Sequence, residues 1–416
     1  MRYSCWSFLL WFAFLPRSGA QCPGELQSYL TGFSTLTADQ LSFLDDQLDS
    51  VYVVGYGEDT HGSAEFTQLA GELLKYLVRG HNFTGIVLET MVGEAAYLDA
   101  YVQGTRHDLD YLLNEINSSW RYRTEEFVAL LEWMRRYNAD HPSAPLHLYG
   151  NEMQYVKADA MLVRDYLSAL GHDVEVAAYD KHLWQSFSPE EMTGLFDNYR
   201  ALDGYLTLHA DALIGASSPA AYDRIRHHVE VIGQFVLAIN QSKERHKHDL
   251  RDLYAAENLL YLFEDGAQDP RLLYWAQNAH VGDWVNNGLV DVTGHQLAKR
   301  MGKAYYRLAT DFGNGEFVAM ARKGGMWTWT VVDFLLDPGT FTACLAAGGT
   351  PYAFLDLRAA RREKALGEYL RRPLTTMAGA GAQYYGSMTT ETDIGRAFDG
   401  ILYLDTVHAI NRLPRE

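Results

Sequence analysis

Residues 51–90 hold two short apolar runs, "VYVVGYGE" and "TGIVLET", on either side of a segment with helical periodicity. In that segment Phe66, Leu69, Leu73, Leu74, Leu77 and Val78 recur at spacings of three and four, with Ser63 as a possible N-cap and Gly80 as the stop. A strand, a helix and a strand in that order form a β-α-β unit, which lays the two strands parallel. Runs of the same kind recur in "LHLYGNE", "RLLYWAQNAH", "AYYRLATDFG" and "YAFLDLR". Their apolar residues are consecutive rather than alternate, which suits strands covered on both faces. The expected fold class is α/β, a largely parallel central sheet flanked by helices.

Residues 155–265 depart from this pattern, with long helical periods and almost no strand-like run. "SPEEMTGLF" offers Ser188 as N-cap, Pro189 in the first turn and Glu191 three residues after the cap. "SPAAYDRIRHHVEVIGQFVLAI" repeats the serine-proline start and aligns Tyr222, Ile225, Val229, Ile232, Phe235 and Ile239 on one stripe. An inserted helical hairpin layer is therefore expected between a first α/β part (21–154) and a second (266–416). The charged "KERHKHD" stretch reads as a solvated helix face or turn, its histidines facing solvent.

At the N-terminus Arg2 precedes an apolar run from Cys5 to Leu15, and Ser18, Gly19 and Ala20 then supply small residues. This is the pattern of a signal peptide over residues 1–20, and it predicts a secreted or periplasmic protein with no membrane span in the mature chain. Cys22 and Cys344 would remain, either paired in an oxidising compartment or as two buried thiols. The sequons at Asn82, Asn117 and Asn240 are glycosylation acceptors only in a eukaryotic host. A formal charge of −18 argues against nucleic acid and anionic membranes as partners. A neutral or cationic small-molecule substrate is easier to admit, and the oligomeric state leaves no mark in the sequence.

In an open parallel sheet, ligands bind outside the carboxyl ends of the strands. Four runs put unusual polar groups there. The first ends in Glu58, Asp59 and His61, the second in Glu89, the third in Asn151, Glu152 and Gln154, and the fourth in Gln277, Asn278 and His280. Taken singly, each has a bland reading: a turn carboxylate, a cap partner, a core histidine. Together, if the strands are neighbours, they bring two histidines and several carboxylates to one cleft. A histidine can take a proton from water while a carboxylate fixes its tautomer, and Glu58 stands three residues before His61. His61, Glu58, Glu89 and His280 are expected to carry the chemistry, and Asp59, Asn151, Glu152, Gln154, Gln277 and Asn278 to face the substrate. The catalytic four are also acceptable ligands for a divalent metal, although no HExxH helix is present. There is no GxSxG elbow and no Walker or GxGxxG loop; "GAGAQYYG" near Gly379 reads as a plain loop. Water is the expected nucleophile.

The stretches "GEDTHGSAEF", "RTEEFVALLEWMRRYN", "LYGNEMQ", "RDLYAAENLLYLFE", "WAQNAH" and "AFLDLR" resemble, in the same order, the erythromycin esterase family from about residue 50 to 410. The resemblance implies hydrolysis of the ester in a macrolactone ring, which opens an antibiotic, with no cofactor and no required metal. It carries over Glu58 and His61 as the catalytic pair, Glu89 as the strand-end carboxylate and His280 as the second histidine. An α/β core with a helical insertion is the fold it implies. Two positions depart from the family pattern: Ala70 stands where an arginine is usual, and Gln277 where the first histidine of WAHNxH is usual. A metal-dependent peptidase or amidase using the same cleft, and a degenerate binding protein, are the alternatives.

Overall fold

The computed structural model describes residues 22–414 except 118, 178–179, 242, 265–269, 287–289, 378–380 and 387–388. The signal-peptide expectation, the middle or last residue of the sequons at Asn117 and Asn240, and Gly379 fall outside the described residues. The main sheet has ten strands: β1 (Leu30–Phe33), β2 (Val53–Glu58), β3 (Gly85–Met91), β4 (His147–Glu152), β5 (Leu272–Gln277), β6 (Tyr305–Lys323), β7 (Met326–Phe334), β8 (Tyr352–Asp356), β9 (Gln383–Tyr384) and β10 (Gly400–Val407). Their order is β1-β8-β10-β6-β2-β5-β3-β4, with β7 and β9 both paired to β6. From β10 to β4 every neighbouring pair is parallel. An antiparallel edge, β8 and β1, closes one side.

The apolar runs form strands because both sheet faces are covered. In β2, Val54 and Tyr56 join one apolar cluster while Val53 joins the other; in β5, Leu273 and Trp275 face the first and Leu272, Tyr274 and Ala276 the second. Burying both faces removes the polar half of the usual alternation. Helix α1 (Ala64–His81) crosses from β2 towards β3 and buries Phe66, Leu69, Leu73 and Leu77. It runs past Gly80 and ends at Asn82, which takes the left-handed φ of 57° that asparagine tolerates better than most residues. Ser63 sits at the N-cap but makes no side-chain cap. Instead the Ala64 amide donates to His408 O at 2.9 Å, so the C-terminal segment satisfies this helix end.

Between β4 and β5 the described chain is helical: α2 (Lys157–Ala169), α3 (Pro189–Leu208), a short helix Ala210–Ala216, α4 (Pro219–Ile239) and α5 (Glu244–Tyr261). These helices share an apolar cluster of their own, including Val163, Leu202, Val229 and Phe235. Ser188 and Glu191 form a reciprocal capping box on α3, and Ser218 accepts from the Ala221 amide on α4. The "KERHKHD" stretch begins α5, with His246 and His248 exposed. The same helix turns its next turns onto the sheet, where Asn258 Nδ2 donates to Asn151 O at 3.0 Å. Cys22 and Cys344 form a disulfide between residues 322 positions apart. Among the described residues no helix is long and apolar enough to cross a membrane.

Candidate active site

Strands β2, β5, β3 and β4 lie side by side, so the polar groups at their carboxyl ends meet. The turn after β2 is shaped by close backbone contact with β6. Val318 N donates to Gly62 O at 3.0 Å, and a Cβ at Gly62 would fall 1.9 Å from Val318 O. That contact leaves only glycine at position 62 and sets His61 beside Glu58. His61 Nδ1 donates to Glu58 Oε1, so Nε2 is the ring nitrogen left for a substrate or water proton. The other Glu58 oxygen accepts from the Trp275 indole at 2.9 Å. Both groups are nearly dry, Glu58 at 1% exposure and His61 at 7%.

Two buried guanidinium groups make such a concentration of carboxylates tolerable. Arg121, from the short helix Ser119–Tyr122, reaches Glu58 Oε1 at 2.6 Å and Glu89 Oε2 at 3.4 Å. Arg251, from α5, donates to Glu89 Oε1 at 2.9 Å and through Nε to Glu152 Oε1 at 2.8 Å. Glu89 thus lies between the two arginines, and the backbone amide of Gln277 donates a third bond at 3.1 Å. Burial alone would raise the Glu89 pKa, but His280, His61, Arg121 and Arg251 outweigh it and hold the carboxyl well below its usual range. Burial likewise disfavours charge on Arg121 and Arg251, yet their carboxylate neighbours keep both firmly protonated.

His280 follows β5 on a short helix and is held by Asp252, to which its Nδ1 donates at 2.7 Å. Asp252 in turn accepts from the Thr293 amide at 3.0 Å and hydroxyl at 2.9 Å. The other ring nitrogen of His280 lies 3.1 Å from Arg251 Nη1 and 3.5 Å from Glu89 Oε1. Burial and Arg251 oppose protonation of this ring while Asp252 and Glu89 favour it, and the balance puts its pKa above the ordinary imidazole value. Neutral, Nε2 accepts from Arg251; protonated, it turns its charge to Glu89. A histidine so placed holds its proton more firmly than a free imidazole does.

Glu58, His61, Glu89, Glu152 and His280 therefore form one hydrogen-bonded and ion-paired cluster. The remaining residues singled out in the sequence divide into two groups. Gln154 and Gln277 adjoin the cluster, since Gln154 bridges Glu152 Oε2 at 3.0 Å to the Trp184 indole at 2.9 Å and Gln277 supplies the amide above. Asp59, Asn151 and Asn278 instead bind protein. Asn278 donates to Asp59 Oδ1 at 3.2 Å and Thr310 O at 2.8 Å, tying β2 to β6. Asn151 is fully buried and donates to Ala255 O at 3.3 Å. Burial and the nearby Asp311 push the Asp59 pKa well up, which suits an interior acid rather than a substrate contact.

Arg121, Arg251 and Asp252 were not recognisable as site residues from composition or spacing. Arg251 and Asp252 lie inside "RDLYAAENLLYLFE", and Arg121 two residues before "RTEEF", but a basic residue near a helix start reads as surface charge. Ala70 is fully buried in the apolar core on α1, so the positive charge of the cluster comes from Arg121 and Arg251. Among the described residues no three His, Cys, Asp or Glu side chains are grouped to hold a metal ion, and the cluster carboxylates face guanidinium groups.

The erythromycin esterase family profile matches residues 78–407. A curated relative, erythromycin esterase type I from Escherichia coli, is 25% identical over 146 residues, 34% of this chain and 32% of that protein, so the chain matches about a third of that relative's length. Among solved structures, a Bacillus cereus protein aligns with TM-score 0.80 at 21% identity, over 94% of this chain and 98% of that one. A succinoglycan biosynthesis protein aligns with TM-score 0.76 at 18% identity over 94% and 97%. An erythromycin esterase mutant in its open conformation aligns with TM-score 0.67 at 16% identity over 91% and 98%. These structural likenesses show the mixed α/β fold, and the profile match over most of the length shows the family: the chain belongs to the erythromycin esterase family.

Proposed function

We propose that this protein is an exported hydrolase that cleaves an ester or lactone by attack of water, with a macrolide lactone as the leading substrate. The observation that carries the reading is the Glu58–His61 pair, buried at the end of a parallel strand with Nδ1 of the histidine committed to the carboxylate. His61 Nε2 takes a proton from water as the oxygen attacks the ester carbonyl, and Glu58 stabilises the imidazolium that forms. The imidazolium then gives its proton to the leaving alcohol. Arg251 and protonated His280 place positive charge beside the cluster, where an oxyanion would develop. Export draws support from the signal-like N-terminus and from the Cys22–Cys344 disulfide.

Incubation with a panel of macrolides and simple esters, read by mass for the gain of one water, tests the activity. His61→Ala is expected to lower turnover by about 10²–10⁴-fold, the range of general acid-base help, while circular dichroism stays unchanged. Turnover at the wild-type rate in that variant would remove His61 from the chemistry.

A further inference from the structure

The ring of His61 is the inner end of a row of aromatic side chains. Trp120 meets it edge-on at 5.8 Å and packs against Trp329 of β7 with ring centroids 4.2 Å apart. Trp329 and Trp327 are two residues apart on one strand and so share a face. Trp327 continues to Tyr385 at 5.3 Å. Trp327, Trp329, Val331 and Tyr385 are all exposed, Trp329 at 37%. Arg412 lies over both Trp120 and Trp329, at 5.9 and 5.1 Å, and Arg322 over Trp327 at 6.0 Å.

An exposed apolar face of this kind marks a place where something binds. Its continuity with His61 says what. A molecule lying on Trp329 and Trp120 has its near end beside the His61 ring, so the occupant that fits is the compound being cleaved. Its charge is constrained as well. Arg412 and Arg322 already cap these rings and repel a cation, while a formal charge of −18 on the whole chain disfavours an anion. We propose that Trp120 and Trp329 form a ring-stacking subsite for an ester whose larger half presents an uncharged flat or apolar ring face. Trp327 and Tyr385 extend the track for larger rings. The assignment rests on the hydrolase reading above and adds the class of substrate that the site selects.

Wild type, Trp329→Ala and Trp329→Phe are compared on naphthylmethyl acetate and on ethyl acetate, which share an acyl group and differ in the ring. Binding of the uncleavable naphthylmethyl methyl ether is measured beside them by calorimetry. Trp329→Ala is expected to raise KM for the ring-bearing ester about tenfold with kcat unchanged, roughly what one aromatic stack contributes. It leaves kcat/KM for ethyl acetate within about twofold and weakens the ether by the same factor as the KM, while Trp329→Phe restores most of the loss. Equal effects on the two esters, or none on either, would overturn the subsite. If wild type cleaves neither ester nor any of the macrolides, the hydrolase reading falls, and the ether still decides the subsite: weaker binding to Trp329→Ala supports it, unchanged binding overturns it. Binding of wild type to zwitterionic lipid vesicles, lost in Trp329→Ala and with no affinity for the ether, would assign this face to a bilayer and overturn the proposal.

Discussion

Arg121 is 4% exposed and shares its charge between Glu58, itself 1% exposed, and Glu89. Removing one partner of a buried pair leaves the other charge unpaired, at a cost of about 3–5 kcal/mol. Arg121→Met is accordingly expected to lose about that much stability near neutral pH. The sign of its pH dependence follows from Glu89, whose pKa in the folded protein is depressed. A depressed carboxylate contributes stability above its unfolded pKa, near 4.3, and loses it as pH falls towards the native value. The gap between variant and wild type should therefore narrow as pH drops below about 4.3. Urea unfolding at a series of pH values measures this, and a gap that stayed constant down to pH 3 would show that Arg121 stabilises by packing rather than by charge.

The turn from Asp59 to Ser63 is held as an element from both sides. β6 contacts it through Val318, Gly381 O accepts from the His61 amide at 3.3 Å, and Ile410 N donates to Gly62 O at 3.0 Å. Gly62→Ala places a methyl group on Val318 O and must push the turn away, taking His61 out of line with Glu58. It should abolish turnover and lower Tm together; a Gly62→Ala protein with normal Tm and turnover would show that the turn has slack. The parts of this arrangement that the sequence disclosed are those with a local signature. Apolar runs ending in Glu58, Glu89, Glu152 and Gln277 mark strands and their ends, because burial on both faces leaves no other way to read them. The strand Met326–Phe334 has no such signature because its tryptophans are exposed, whereas Gly400–Val407 is buried from Gly400 to Leu404 and is a strand of the same kind as the runs read from the sequence. Arg121, Arg251 and Asp252 stayed hidden for a different reason. Their role depends on which helix folds over which strand end, and that is tertiary information with no spacing of its own.

Across the whole molecule, one covalent crosslink among the described residues ties the two ends of the fold together. Cys22, ahead of β1, joins Cys344 on the helix Thr342–Ala346 ahead of β8, where Gln27 Nε2 also donates to Cys344 O at 3.0 Å. Closing a loop this long restricts the unfolded chain, a contribution of about 2–5 kcal/mol. Cys22→Ser should lower Tm without changing kcat, and reductant should bring wild type to the same Tm; an unmoved Tm would mean the edge is held by its strand pairing alone. A second long-range feature has wider reach. β6 runs unbroken for 19 residues: its first half pairs with β2 and β10, and Thr310 Oγ1 there accepts from the Asp59 amide at 3.0 Å, while its last eight residues pair only with β7 and β9. One rod thus serves as foundation at one end and as outrigger at the other. Val318, where the outrigger begins, still braces the His61 turn, but exchanges on β7 beyond it leave that brace and the foundation's lattice intact, so descendants of this scaffold are free to change their diet while inheriting the same working parts.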